Sequence, residues 1–168
     1  MNDKAPRGFT LVELLVTITV MSLLAALVYP MYVEQVRKTR RAEGWALLVN
    51  AAQQQERFYT ANNAYTATVG SGGLGMSTGA TVTSPNGYYT LTAALGAVAS
   101  GASTCTAGGG TACYILTATA QGDQRQDKDQ GKTCFSLTLD SLNNKNSTSN
   151  GTTANGSPTG GSPYCWSK

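Results

Sequence analysis

From Phe9 to Tyr32 the chain runs for 24 residues with a single charged side chain, Glu13. As an α-helix rising about 1.5 Å per residue, this run spans about 36 Å, enough to cross a hydrocarbon layer about 30 Å thick. Membrane residence is therefore open to it. A secretory signal would have a shorter apolar core ending in a small-x-small cleavage site. Here the run continues past Ala25-Ala26 into Leu27-Val28-Tyr29, so it is read as retained. Before it stands a short polar stretch, Met1 to Gly8, carrying Lys4 and Arg7. An unpaired carboxylate in hydrocarbon is costly, so Glu13 either reaches the headgroups or requires a cation.

Helical periodicity persists beyond the membrane run. Ala42, Trp45, Leu48, Val49, Ala52 and Tyr59 recur at three- and four-residue spacings. The helix is expected to end near Tyr59, where Thr60-Ala61-Asn62-Asn63 turns to weak helix formers and turn chemistry. From Ala64 onward the texture is Gly, Ser, Thr and Asn with three β-prone islands, Tyr88–Ala93, Tyr114–Ala120 and Cys134–Leu139. Each alternates apolar residues with Thr or Ser, as a sheet covered on one face requires. The amphipathic helix supplies the cover, giving an α+β head with the helix over a small antiparallel sheet. Ser141–Pro163 reads as a polar surface loop.

Composition narrows the chemistry. The 168 residues allow one compact domain beside the apolar segment. The chain contains no histidine, which excludes Ser-His-Asp and Cys-His nucleophilic pairs, H-E-x-x-H zinc sites and histidine-based pH switches. Enzymatic activity stays open only through carboxylates, lysine or a cofactor, and no zinc site is expected. Four cysteines, Cys105, Cys113, Cys134 and Cys165, lie in the last 64 residues without a C-x-x-C. They allow three pairings. Cys105–Cys113 with Cys134–Cys165 is preferred, because each bridge then closes a segment with little apolar content, in an oxidising compartment.

At Gly8-Phe9-Thr10-Leu11-Val12-Glu13 the sequence resembles the prepilin leader of type IV pilins. A basic leader ends in glycine, phenylalanine follows, glutamate comes five positions after the glycine, and Pro30 sits where pilins carry a helix-loosening proline. It departs from the family at Ser22, where glycine is common. The resemblance continues through Arg41-Ala42-Glu43-Gly44, Ala51 to Tyr59 and Tyr65-Thr66, where it is closest to PilE-type minor pilins. What it implies is a type IV pilin fold with Cys134 and Cys165 closing a C-terminal disulfide loop. It also implies cleavage between Gly8 and Phe9 by a prepilin peptidase, followed by N-methylation of Phe9. Glu13 would then dock subunits by pairing with the Phe9 ammonium of a neighbour, and Pro30 would kink the helix.

The implied segments are a leader (1–8), a membrane and filament-core half-helix (9–32), an amphipathic half-helix (33–59) and the stapled head (60–168). The implied role is structural, the chain being the peptidase's substrate and not an enzyme, with no cofactor and no metal, and the implied partners are other pilin subunits, the peptidase/methyltransferase and the inner-membrane assembly machinery. The implied route runs from the bacterial inner membrane to an extracellular pilus serving biogenesis, twitching motility or adhesion.

Arg37, Lys38, Arg40 and Arg41 follow the apolar run, and positive-inside counting would keep that side in the cytoplasm. The cysteines and the leader outweigh the count, since long domains translocate largely regardless of charge. The cluster is read as a solvated helix face. The alternative is a DNA contact, as in ComP-type pilins of natural transformation. From Thr60 onward, five bases against four acids leave only +1, a poor phosphate-binding footprint. Gly70 to Gly75 matches G-x-G-x-x-G formally, but no helix pattern follows and the next acid is Asp123, so it is read as a flexible loop. Asp127-Lys128-Asp129-Gln130-Gly131 is a poor calcium loop, its glycine a residue early and no glutamate closing it.

Overall fold

The computed structural model describes residues 8–96, 106–107, 110–111, 113–129, 132–148 and 163–166. The chain divides into two compact units, Met1–Val36 and Arg37–Lys168. One helix, α1 (Leu11–Asn62), contributes its first part to the former and its remainder to the latter.

In the first unit the described chain is helix from Leu11, started by Thr10. The Thr10 hydroxyl accepts from the Glu13 N–H at 3.2 Å, the N-terminal half of a T-x-x-E capping box. Thr17, Thr19 and Ser22 donate their hydroxyls to carbonyls three residues back at 2.7–2.8 Å, so these polar groups are satisfied within the helix. Pro30 lies inside α1 and removes one intrahelical donor. The large apolar side chains of this stretch, from Leu11 to Tyr32, are exposed. The helix is long and apolar enough to cross a membrane.

In the second unit, Arg41, Gly44, Leu47, Leu48, Ala51 and Gln55 are buried along one face of α1. Opposite them lie Tyr89, Leu91, Leu116, Ala118, Leu137 and Leu139. Gly44 permits the close approach, because a Cβ there would meet Leu137 Cδ1 at 3.1 Å and Tyr89 Cδ1 at 3.2 Å. The helix ends at Asn62, slightly past Tyr59, where Asn63 takes a left-handed φ of 52° and its N–H bonds the Tyr59 carbonyl at 2.7 Å.

The strands are β1 (Val82–Thr83), β2 (Tyr89–Leu95), β3 (Thr106–Ala107), β4 (Gly110–Thr111), β5 (Tyr114–Ala120), β6 (Lys128–Asp129), β7 (Lys132–Thr133), β8 (Ser136–Asp140) and β9 (Lys145–Thr148). Five of them form one antiparallel meander in the order β1-β2-β5-β8-β9, while β3-β4 and β6-β7 are small hairpins set into its connections. The register puts Leu91 beside Ala118 and Ala118 beside Leu137 on the helix side. Thr90, Thr119, Ser136 and Thr148 form a row on the reverse face. The two-residue side-chain alternation read from the sequence therefore survives across the sheet.

Two expectations change. Lys145–Thr148 is an edge strand of the main sheet rather than surface loop. A disulfide joins Cys134 to Cys165 and holds the turn Pro163–Trp166 beside β9, where the Trp166 indole donates to the Asn146 carbonyl at 2.7 Å. Trp166 also stacks on Trp45, ring centroids 6.1 Å apart, so the tail covers an edge that charge and apolar pattern alone did not mark. The Gly70–Gly75 segment is a tight turn, not a flexible loop. Leu74 N–H bonds Thr68 O, Gly75 N–H bonds Gly70 O, and a Cβ on Gly73 would lie 1.9 Å from Thr68 O. Cys113 is buried, whereas Cys105 and the leader residues 1–7 lie outside the described residues, as does the expected Cys105–Cys113 bridge.

Candidate functional site

Two surfaces follow from the sequence reading, the start of α1 and the basic cluster that follows its apolar run. At the start of α1, Gly8 and Phe9 precede the cap and are exposed. Thr10 closes the first turn, and Glu13 stands at its end with its backbone held and its side chain exposed. Among the described residues no cation pairs with Glu13. A helix N-terminus favours a carboxylate in its first turn, the place Glu13 occupies.

The arginine cluster departs from expectation. It is not a solvated face, because three of its four members hold the segment that follows β5. Arg37 donates to Asp123 through Nη2 at 2.6 Å and Nε at 3.2 Å, and Nη2 also reaches Gln126 Oε1 at 3.2 Å. Arg40 lies 3.9 Å from Asp123 and places its guanidinium 4.4 Å from the Tyr88 ring centre. Arg41 is buried and pairs with the equally buried Asp127 through two nitrogens, Nη2 bonding Oδ1 at 3.0 Å and also the Lys128 carbonyl at 3.0 Å. The Gln124 amide nitrogen donates to Arg37 O at 2.9 Å and to Asp127 Oδ2 and Tyr89 Oη at 3.2 Å. The Arg37 guanidinium holds the Asp123 carboxyl below its ordinary value, and burial raises the Tyr89 phenol. Engagement of Asp127 by Arg41 also removes the first ligand of the poor calcium loop, and no metal-binding cluster occurs among the described residues.

Comparison with known families decides the identity. Residues 30–138 match the family model described as type IV minor pilin ComP, DNA uptake sequence receptor, and residues 3–29 match the prokaryotic N-terminal methylation motif. The chain belongs to this family of type IV minor pilins. No curated protein matches. In this minor pilin the G-F-T-L-V-E resemblance falls within the methylation motif, and the Arg41–Tyr59 resemblance falls within the family model.

The fold also revises the charge count of the minor pilin's head. Asp127 and Asp140 are buried, and Asp123 is ion-paired. Asp140 organises the β8–β9 turn, accepting from Leu142 N at 2.9 Å, Asn144 N at 2.8 Å and Asn144 Nδ2 at 2.9 Å. Arg125, Lys128 and Lys145 are exposed. Arg125 lies 5.5 Å from the Phe135 ring centre and donates to Ala120 O, while Lys145 Nζ lies 5.6 Å from the Trp166 ring. Arg125, Lys128 and Lys145 thus stay open to solvent while Asp127 and Asp140 are withdrawn from it. Sequence reasoning missed the acids that answer the arginines. The available signal was a shared spacing, since Arg37 and Arg41 are four residues apart, as are Asp123 and Asp127.

Proposed function

We propose that this minor pilin sits in the bacterial inner membrane through residues 9–32, is cut between Gly8 and Phe9 and N-methylated, and is then drawn into a type IV pilus as a structural subunit. Its partners are other pilins, the prepilin peptidase/methyltransferase and the assembly machinery of that membrane. The observation that carries the reading is the long exposed apolar surface of the first part of α1, interrupted by one carboxylate. Burying that surface between subunits supplies most of the assembly energy, through area and dispersion. Glu13 sets the register by meeting the Phe9 ammonium of an adjacent copy, since a charge pair costs far less in an apolar core than a lone carboxylate. Glu13→Ala is expected to deplete the subunit from sheared fibres while leaving tryptophan fluorescence unchanged, both tryptophans lying in the second unit. Normal incorporation of that variant would refute the docking role.

A second reading, duplex DNA binding by the head, draws on the description of the matching family and on the exposure of Arg125, Lys128 and Lys145. Phosphate contacts by such side chains would make binding fall steeply with salt, the logarithmic slope growing by about one per contact. Mobility shifts of duplex DNA by the full chain in detergent, at two salt concentrations, test it. Salt-sensitive retardation weakened by Lys128→Ala and Lys145→Ala supports the reading; absence of retardation at low salt refutes it.

A further inference from the structure

The far end of α1 carries an aromatic cluster that neither reading uses. Asn63 reverses the chain, so that Tyr65 returns against Tyr59 with ring centres 4.7 Å apart and planes inclined by 31°. Tyr65 in turn meets Tyr114 edge-on, at 4.8 Å and 75°. The exposed Glu56 carboxylate, about one helical turn before Tyr59, accepts from both inner phenols: from Tyr65 at 3.2 Å and 3.4 Å, and from Tyr114 at 3.4 Å. Tyr59 is 36% exposed and Tyr114 is buried. Tyr65 thus has a proton acceptor on its oxygen and a partly exposed ring against its face.

We propose that Tyr59 and Tyr65 form an oxidative cross-linking site, at which hydrogen peroxide acting through a haem peroxidase joins the two rings as dityrosine. Each phenol gives up one electron and its O–H proton, the Tyr65 proton passing to Glu56 and that of Tyr59 to water. The two phenoxyl radicals then couple between ring carbons ortho to the oxygens. A C–C bond forms, the hydrogens on the coupled carbons shift to the oxygens as the rings regain aromaticity, and peroxide is reduced to two waters. The protein loses two hydrogen atoms in all.

The geometry favours this pair over Tyr65 with Tyr114. The first pair meets at a shallow tilt on chain that leaves the helix, whereas the second meets nearly at right angles and Tyr114 is fixed at the start of β5. Burial and the Glu56 carboxylate push the Tyr65 phenol up to about 12, so it remains protonated at neutral pH and keeps donating to Glu56 until it is oxidised. The link would tie the end of α1 to the first turn of the head, independently of the pilus and DNA readings.

The test treats the full chain in detergent with peroxide and a haem peroxidase. It reads dityrosine fluorescence, the mass of the monomer band and fragmentation of the peptide from Phe58 to Arg125, which trypsin releases whole because no Lys or Arg intervenes. Expected are a monomer lighter by two hydrogens, no backbone fragments between Tyr59 and Tyr65, and loss of the signal in both Tyr59→Phe and Tyr65→Phe, which keep the rings. Tyr114→Phe should retain the link, and Glu56→Gln should slow its formation several-fold. No intramolecular dityrosine in the wild type, or its persistence in Tyr59→Phe or Tyr65→Phe, would overturn the proposal.

Discussion

Replacing Asp127 by alanine leaves the Arg41 guanidinium buried with its carboxylate removed. Both side chains are 1% exposed, and Gln124 loses an acceptor at the same time. Breaking one side of such a buried pair costs about 3–5 kcal/mol. For a unit of this size each kcal/mol moves the melting midpoint by roughly 2–6 °C, so Asp127→Ala should melt roughly 6–30 °C below wild type. Combining Arg41→Met with Asp127→Leu removes both charges and refills the space, which is about neutral in comparable cases and should restore most of the loss. Thermal melts of the full chain in detergent, followed by tryptophan fluorescence, read this directly because Trp45 and Trp166 are the only tryptophans. A midpoint for Asp127→Ala within about 2 °C of wild type would show that the pair does not anchor the segment after β5, against the magnitude expected for buried charges.

The remaining perturbations test other parts of the fold. Removing the Cys134–Cys165 bridge by double serine substitution frees a loop of sequence separation 31 and should cost about 3–4 kcal/mol in the same melts, with altered fluorescence as Trp166 leaves Trp45. Gly73→Ala should destabilise the head by about 1–3 kcal/mol because its Cβ runs into Thr68 O, while Gly79→Ala, with nothing within 4 Å, should melt like wild type. Asp123 has its folded pKa held below the ordinary aspartate value by Arg37, so its stabilising contribution is present above that ordinary value and lost as pH falls through the lower folded one. Asp123→Asn should therefore flatten the acid limb of the stability-against-pH curve and leave its pH dependence near neutrality unchanged.

Helix and sheet were legible where side-chain periodicity carries the signal. Tyr114–Ala120 is the strand the alternation marks, and Leu48 and Ala52 lie on the helix's inward side with Trp45. What escaped was held by contacts distant in sequence. Lys145–Thr148 has no apolar alternation, being an edge strand fixed by backbone pairing with β8 and by Trp166. The arginines looked solvated because their acids lie about 86 residues away. The Gly70–Gly75 turn looked loose because composition does not report how closely two backbone segments approach. At the start of α1, the Thr10 cap was likewise unread, though T-x-x-E stands in plain sequence.

The central claim is that the apolar helix becomes an assembly surface once its leader is removed and Glu13 finds an amine on another subunit. Intact-mass measurement of the protein recovered from purified fibres tests it most directly. The recovered chain is expected to begin at Phe9, lighter by Met1 to Gly8 and heavier by one methyl group. Recovery of the chain at its full 17.5 kDa, with Met1 to Gly8 still attached, would contradict it.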